Sequence, residues 1–359
     1  MAEKSREGHR IVFMGSKKQP NYIIDTFDVP TASELKEGQI LVKILLATIC
    51  PNDLLTIIGK GEDTTPCLLG HEGVAQVICS KRDAAECKLS PGDRVVFTAT
   101  EFCPKCKMTS CHHYAKYGKA PINRCGSNGT FSTHLILEGD RDVIRISPTL
   151  PDRLVASANC ALATIIGAVQ PVIPAKKDAV AVIQGAGLYG IYSCAALHRG
   201  GYKVYCLDVK EERLKLVPKF GGIPILTKDN QTGDWYKEDS VDVVIEVCGD
   251  KEVFQTALNL LRPGGIYILI GLSGKEAELS LPVDILIKKC LTVRGCQGYT
   301  SSDLRQAIEF LELTRDQHPY DELLSGNFSI QDFHYAISAA KSQLFHRVAL
   351  SPSMSRLRY

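Results

Sequence analysis

The sequence predicts an α/β protein in which a β-rich domain is joined to a doubly wound parallel sheet. Three observations lead there. Over roughly the first 150 residues, short β-like runs are separated by turn signals. From about residue 176, apolar strands alternate with helix-length amphipathic segments. The length of 359 residues also exceeds what one hydrophobic core usually organises.

The β-rich part is built from HRIVFM, GQILVKILLATI, GVAQVICS, DRVVFTA, FSTHLIL and DVIRIS. Gly, Pro and Asp pairs bound several of them, as at Pro91-Gly92-Asp93. The second part runs AVAVIQ, a helix to His198, KVYCLD, a helix from about Lys210, VDVVIEV, a helix over Lys251 to Leu261, and YILIGL. LTVRGCQ follows, to about residue 297. In SSDLRQAIEFLELT, Leu304, Ile308 and Leu311 recur at helical spacing, and HRVALSP closes the chain as a last short strand.

Composition narrows the function. Lys and Arg total 42 against 40 Asp and Glu, a net charge of +2, so nothing draws the chain to nucleic acid without a local site. The segments 154–173 and 179–197 approach membrane-span length. The first is broken by Ser157, Asn159, Gln170 and Pro171, the second by three glycines and Gln184, and no membrane partner is expected. The start MAEKSREGHRIVF has no apolar secretory core, so a cytoplasmic, reducing location is expected. The 14 cysteines are then free or metal-bound rather than paired, and a buried free thiol behaves as a small hydrophobe. Cys194, Cys206, Cys248, Cys290 and Cys296 are expected to be core.

Gly185, Gly187 and Gly190 form G-x-G-x-x-G between a strand and a helix. In that context the first glycine permits a tight turn, the second lets backbone approach a pyrophosphate, and the third lets helix and strand pack. The helix beginning at Leu188 and Tyr189 offers free N–H groups and a positive dipole end to phosphates. Asp208 ends the next strand 18 residues beyond Gly190, near the roughly 20 at which a carboxylate meets a ribose 2′-hydroxyl. That carboxylate repels a 2′-phosphate and favours NAD(H) over NADP(H). Arg213 lies either along the adenosine ribose or where it receives a phosphate. Cys248 and Gly271 follow strand ends at the carboxyl edge, where open α/β sheets bind ligands, so their backbones are expected near ribose and nicotinamide.

Cys50 in ATICPND, His71 and Glu72 in LLGHEGV, and Cys160 in ANCALAT are candidate metal ligands. Two thiolates and an imidazole suit zinc, cancel its charge, and leave a fourth position for substrate.

With these segments in hand, the chain resembles the zinc-dependent medium-chain dehydrogenases and reductases, the zinc alcohol dehydrogenase superfamily, over nearly its whole length. Gly70-His71-Glu72-Gly73 is similar to that family's GHE(G) signature, and Cys50 followed by Asn52-Asp53 to its first ligand segment. Cys160 and Thr164 are similar to its third ligand and to a threonine packing by the nicotinamide. GAGLYG is similar to its cofactor turn, and Arg347 to a late basic residue near the pyrophosphate. KYGK (Tyr117, Gly118) and RPGG (Arg262 to Gly265) also fit. Within the family the chain is most similar to phosphonate-catabolism-associated alcohol dehydrogenases. The resemblance implies a GroES-like catalytic domain over residues 1–160 and 298–359 enclosing a Rossmann domain over 161–297. It implies that Asp53 orients a ligand, that Glu72 can replace the substrate oxygen on zinc, and that the protein is a homodimer or homotetramer acting on a small alcohol or carbonyl compound.

Two departures stand out. The family commonly has Ser or Thr two residues after the first Cys and His three residues further on, to pass a proton; here stand Asn52 and Leu55. Neither residue can relay one, which leaves water, a ribose hydroxyl or another group. The usual four-cysteine structural zinc lobe is also altered, to Cys103, Cys106 and Cys111, with Cys125, His112 or His113 as a fourth ligand and Thr100 where a Cys is common. This is either a second zinc site or a degenerate lobe. The expected function is zinc- and NAD(H)-dependent hydride transfer between an alcohol and a carbonyl. Alternatives are a C=C reductase of the same superfamily, or a non-catalytic cofactor-binding protein.

Overall fold

A computed structural model describes residues 7–60, 65–83, 89–99, 129–139, 142–227, 237–272 and 278–352. The chain divides into two compact units, Met1–Ala163 with Tyr299–Tyr359, and Thr164–Gly298. Cys103, Cys106, Cys111 and Cys125, together with His112, His113, Tyr117 and Gly118, lie outside the described residues.

In the first unit β1 (Glu7–Phe13), β2 (Tyr22–Asp28) and β4 (Cys67–Leu68) form a three-stranded sheet in the order β2-β1-β4. A larger sheet is laid around β3 (Ile40–Ile49), whose ten residues ILVKILLATI are nearly all buried. It runs β15-β16-β3-β5-β6-β8, from β5 (Glu72–Ser80), β6 (Arg94–Phe97), β8 (Val143–Arg145), β15 (Leu324–Ser329) and β16 (Arg347–Ser351). A further strand, β7 (His134–Leu137), also pairs with β3. The closing segment packs Phe333, Ile337, Val348 and Leu350 into the same core as Ile11, Val42 and Phe97. That shared core is why the chain must return after its excursion into the second unit.

The second unit is a six-stranded sheet, β11-β10-β9-β12-β13-β14, every pairing parallel. Its strands are β9 (Val180–Gln184), β10 (Lys203–Asp208), β11 (Gly222–Leu226), β12 (Val241–Glu246), β13 (Leu261–Leu269) and β14 (Thr292–Gly295). Numbered from β9, this is the 3-2-1-4-5-6 order of dinucleotide-binding folds, with the strand order reversing between β9 and β12. Central β9 and β12 are almost wholly buried and mostly apolar, with Asp242, Glu246 and Gln184 the exceptions, because helices such as Leu188–Arg199 and Val253–Leu260 cover the sheet.

Two expectations need correction. The strands β2, β11 and β15 were not predicted, because YIIDTFD, GIPIL and LSGNFS are half-exposed or broken by Pro and Gly. Cys194 and Cys206 are buried, but Cys248 and Cys290 are exposed and Cys296 is half-buried. Cys248 follows the end of β12, and Cys290 occupies a turn at φ 51 between the helix Val283–Lys288 and β14, so neither reaches the core. The helical run Asp152–Val172 does have the length and mean hydropathy, 1.5, of a membrane span. Since 83% of its most apolar window is buried in protein, it reads as a core helix.

Candidate metal centre and dinucleotide cradle

Cys50 stands where β3 stops. Pro51 follows as the first residue of the helix Pro51–Ile57, where its missing N–H costs nothing, and Cys50 is its N-cap. Asp53, in the first turn, accepts the Cys50 N–H at 2.9 Å through Oδ2. Its Oδ1 accepts from His71 Nδ1 at 3.2 Å. One carboxylate therefore ties two ligand segments together and fixes the imidazole tautomer, directing Nε2 away from itself. Gly70, before His71, has φ +90, and a Cβ there would stand 2.5 Å from the Phe131 ring, so the Gly-His order follows from space and backbone sign.

Glu72 opens β5 opposite Thr48 of β3. Thr48 Oγ1 donates to its Oε2 at 2.5 Å, and Arg347 clamps it with Nε on Oε2 at 3.0 Å and Nη2 on Oε1 at 3.1 Å. Burial alone would raise the Glu72 carboxyl, but the charges of Arg347 and His71 and these hydrogen bonds hold it below the ordinary carboxylate range. Arg347 Nη2 also lies 3.7 Å from Cys50 Sγ. The structure thus places Arg347, which the resemblance sets beside a pyrophosphate, among the metal-centre residues of the first unit.

Cys160 comes from a π-helical turn, Ala158–Leu162, an irregularity that recurs at functional sites. One donor atom each from Cys50, His71, Glu72 and Cys160 falls within 4.8 Å of the others, at 3, 3, 0 and 6% exposure. A hydrogen bond with Cys160, burial and the Glu72 charge push the Cys50 thiol well above its usual range. Two thiolates and a divalent cation would cancel, as Glu72 and Arg347 already do, so a metal of zinc's type fits this donor set. Asn52 is half-buried, and Leu55 is 38% exposed one turn further along the helix.

The second unit carries the glycine-rich turn. Gly185 has φ +114, and a Cβ on Gly190 would collide with the Gly185 carbonyl oxygen. At Gly187, the N-cap of Leu188–Arg199, a Cβ would meet nothing within 4 Å, leaving open space at a helix start as a pyrophosphate requires. Leu188 is buried and Tyr189 half-buried. Asp208 does more than was anticipated. Its Oδ2 accepts the Ala186 N–H at 2.8 Å and its Oδ1 the Lys210 N–H at 2.9 Å, so it holds the glycine turn in place. Arg213 is half-buried in the short helix Glu211–Leu214, and Thr164 is buried at the start of this unit.

Glu246 escaped the sequence reading. Fully buried at the end of β12, its carboxylate accepts N–H groups from Gly249 at 2.5 Å, Gly271 at 3.0 Å and Leu272 at 2.8 Å. It shapes the two loops bearing Cys248 and Gly271. The signal was a charged residue ending the apolar run VDVVIE. Although Cys248 as a residue is exposed, packing around its sulfur and the Glu246 charge push its thiol up to about 12.

The parallel sheet with its glycine turn and the buried thiol, imidazole and carboxylate cluster define a dinucleotide-dependent, metal-bearing oxidoreductase class. Comparison with known proteins agrees. Residues 36–148 match the alcohol dehydrogenase GroES-like domain and residues 187–312 the zinc-binding dehydrogenase family. A 5-exo-hydroxycamphor dehydrogenase of Pseudomonas putida is 22% identical over 89% of this chain and 93% of its own. An L-threonine 3-dehydrogenase of Streptomyces coelicolor is 28% identical over 88% and 92%. The crystal structure of an alcohol dehydrogenase from Thermotoga maritima superposes with a TM-score of 0.85 at 23% identity, covering 97% of this chain and 100% of that one, and shares the fold. The chain belongs to the zinc-dependent medium-chain dehydrogenase superfamily, the zinc alcohol dehydrogenases.

Proposed function

We propose that the protein is an NAD(H)-dependent dehydrogenase or carbonyl reductase that interconverts a small alcohol and its carbonyl at a zinc ion. The buried four-donor cluster of Cys50, His71, Glu72 and Cys160 carries this reading. When bound, zinc supplies a Lewis acid that lowers an alcohol's pKa or polarises a carbonyl. Cys50, Cys160 and the Nε2 of His71 would hold it. Asp53 keeps the imidazole oriented. Glu72 has its charge balanced by Arg347 and its oxygens held by Thr48 and Arg347, which suits a fourth position left open to substrate. Gly185, Gly187 and Gly190 would admit the pyrophosphate, and Asp208 would receive the adenosine ribose and favour NAD(H).

A substrate screen following NADH absorbance, with metal content measured on the same sample, tests the proposal. Cys50→Ser should abolish turnover and reduce zinc while NADH still binds; turnover without loss would overturn it. Asn52 and Leu55 favour one second reading. With neither residue able to pass a proton, reduction of an activated C=C bond with zinc as structure becomes the alternative, and activity that survives zinc removal would select it.

A further inference from the structure

We infer that Asn159 is the positioning residue that holds the His71 and Cys160 segments in ligand register, with Tyr299 fixing Asn159 in turn. The inference rests on the metal reading above and adds to it two residues that touch no metal.

Asn159 is fully buried and immediately precedes Cys160. Its Nδ2 has two hydrogens, and both are used on main-chain carbonyls, His71 at 3.1 Å and Phe97 at 3.0 Å. Its Oδ1 accepts the Gly73 N–H at 3.4 Å. The side chain therefore grips β5 on either side of Glu72 and the end of β6 as well. Its own carbonyl accepts the Tyr299 hydroxyl, whose oxygen accepts the Ala99 N–H at 2.9 Å. Every group in this buried network has a partner, the condition under which such networks specify a geometry rather than weaken it.

The consequence for the ligands is direct. His71 is held at its ring by Asp53 and at its main chain by Asn159. Cys160 is one peptide bond from the same clamp, on a π-helical turn that persists only where its surroundings over-determine it. A leucine would fill nearly the same volume but leave three buried main-chain groups without their partner. The asparagine is thus there for its amide, and the amide sets the spacing between two ligand segments separated by 88 residues.

The test uses the full-length protein loaded with Co²⁺ and the absorbance of its thiolate bands, taking as the centre's signal the part lost in Cys50→Ser. The rate of Co²⁺ loss to a chelator is compared for wild type, Asn159→Leu, Tyr299→Phe and Asp242→Asn, the last weakening an ion-pair cluster in the other unit. Asn159→Leu should release Co²⁺ about tenfold to a hundredfold faster with a shifted thiolate band. Tyr299→Phe, which removes one hydroxyl and carries the test if Asn159→Leu does not fold, should do the same to a smaller degree. Asp242→Asn should release at the wild-type rate. An unchanged band and rate in Tyr299→Phe, or release from Asp242→Asn as fast as from the Asn159 variant, overturns the inference. A wild type with no Cys50-dependent Co²⁺ signal overturns the metal reading and this one together, whereas a wild-type signal that the variants leave unaltered overturns this one alone.

Discussion

Glu72 carries a fully buried negative charge, which Arg347 balances and the Thr48 hydroxyl hydrogen-bonds. Hydrogen bonds to charged groups contribute about 1.5–3 kcal/mol. Thr48→Val, equal in shape, should therefore cost about 1–3 kcal/mol of stability, read by denaturant unfolding, and Thr48→Ser should recover most of it. A cost indistinguishable from zero would show that Arg347 alone suffices. Asn52 and Leu55 bear on a different quantity. Replacing them together by Ser and His should shift the pH profile of alcohol oxidation towards neutral pH and raise the rate there; an unchanged profile rules out a missing relay as the limit. The ligands were legible in the sequence because Cys, His and Glu stand in short recognisable segments. Thr48, Asn159 and Tyr299 were not, because their partners lie 24, 88 and 140 residues away and their residue types are common in any core. Cys248 and Cys290 were misplaced for the opposite reason, since an apolar neighbourhood in sequence does not say on which side of a strand end or turn a thiol falls.

The parallel sheet was readable from its alternation of apolar strands and helices, and the glycine turn from its place between two of them. Gly190→Ala places a methyl against the Gly185 carbonyl and should reduce NADH affinity by at least tenfold in a fluorescence titration, with a lowered melting temperature. NADH bound with wild-type affinity would contradict the tight helix–strand contact. Near the amino end of β12, Asp242 pairs with Lys176 and Arg262 and accepts the Val180 N–H. Burial alone would raise its carboxyl, yet these partners outweigh burial and lower it. A depressed folded-state value stabilises above the unfolded value near 3.9, and the contribution is lost as pH falls through the folded value. Asp242→Asn should therefore be less stable than wild type at pH 7, the gap closing below about pH 4. A gap independent of pH would show that shape, not charge, is what matters there.

At the scale of the molecule, the metal centre lies wholly in one unit and the glycine turn wholly in the other. Each ligand should then stabilise the protein on its own account, by about 2.7 kcal/mol at a hundredfold excess over its dissociation constant. Thermal melts should show a chelator lowering the melting temperature and NADH raising it in chelated and untreated protein alike; loss of the NADH effect on chelation would show that the two sites are not independent. The discontinuity of the first unit was visible only through family resemblance, because periodicity identifies strands and not which sheet they join. It has a further consequence in time. During synthesis the chain delivers Glu72 before the second unit and Arg347 after it. Until β16 takes its place beside β3, the carboxylate has no guanidinium to meet. The ion pair that balances Glu72 therefore cannot form until the second unit has been made, because its two halves flank that unit in sequence.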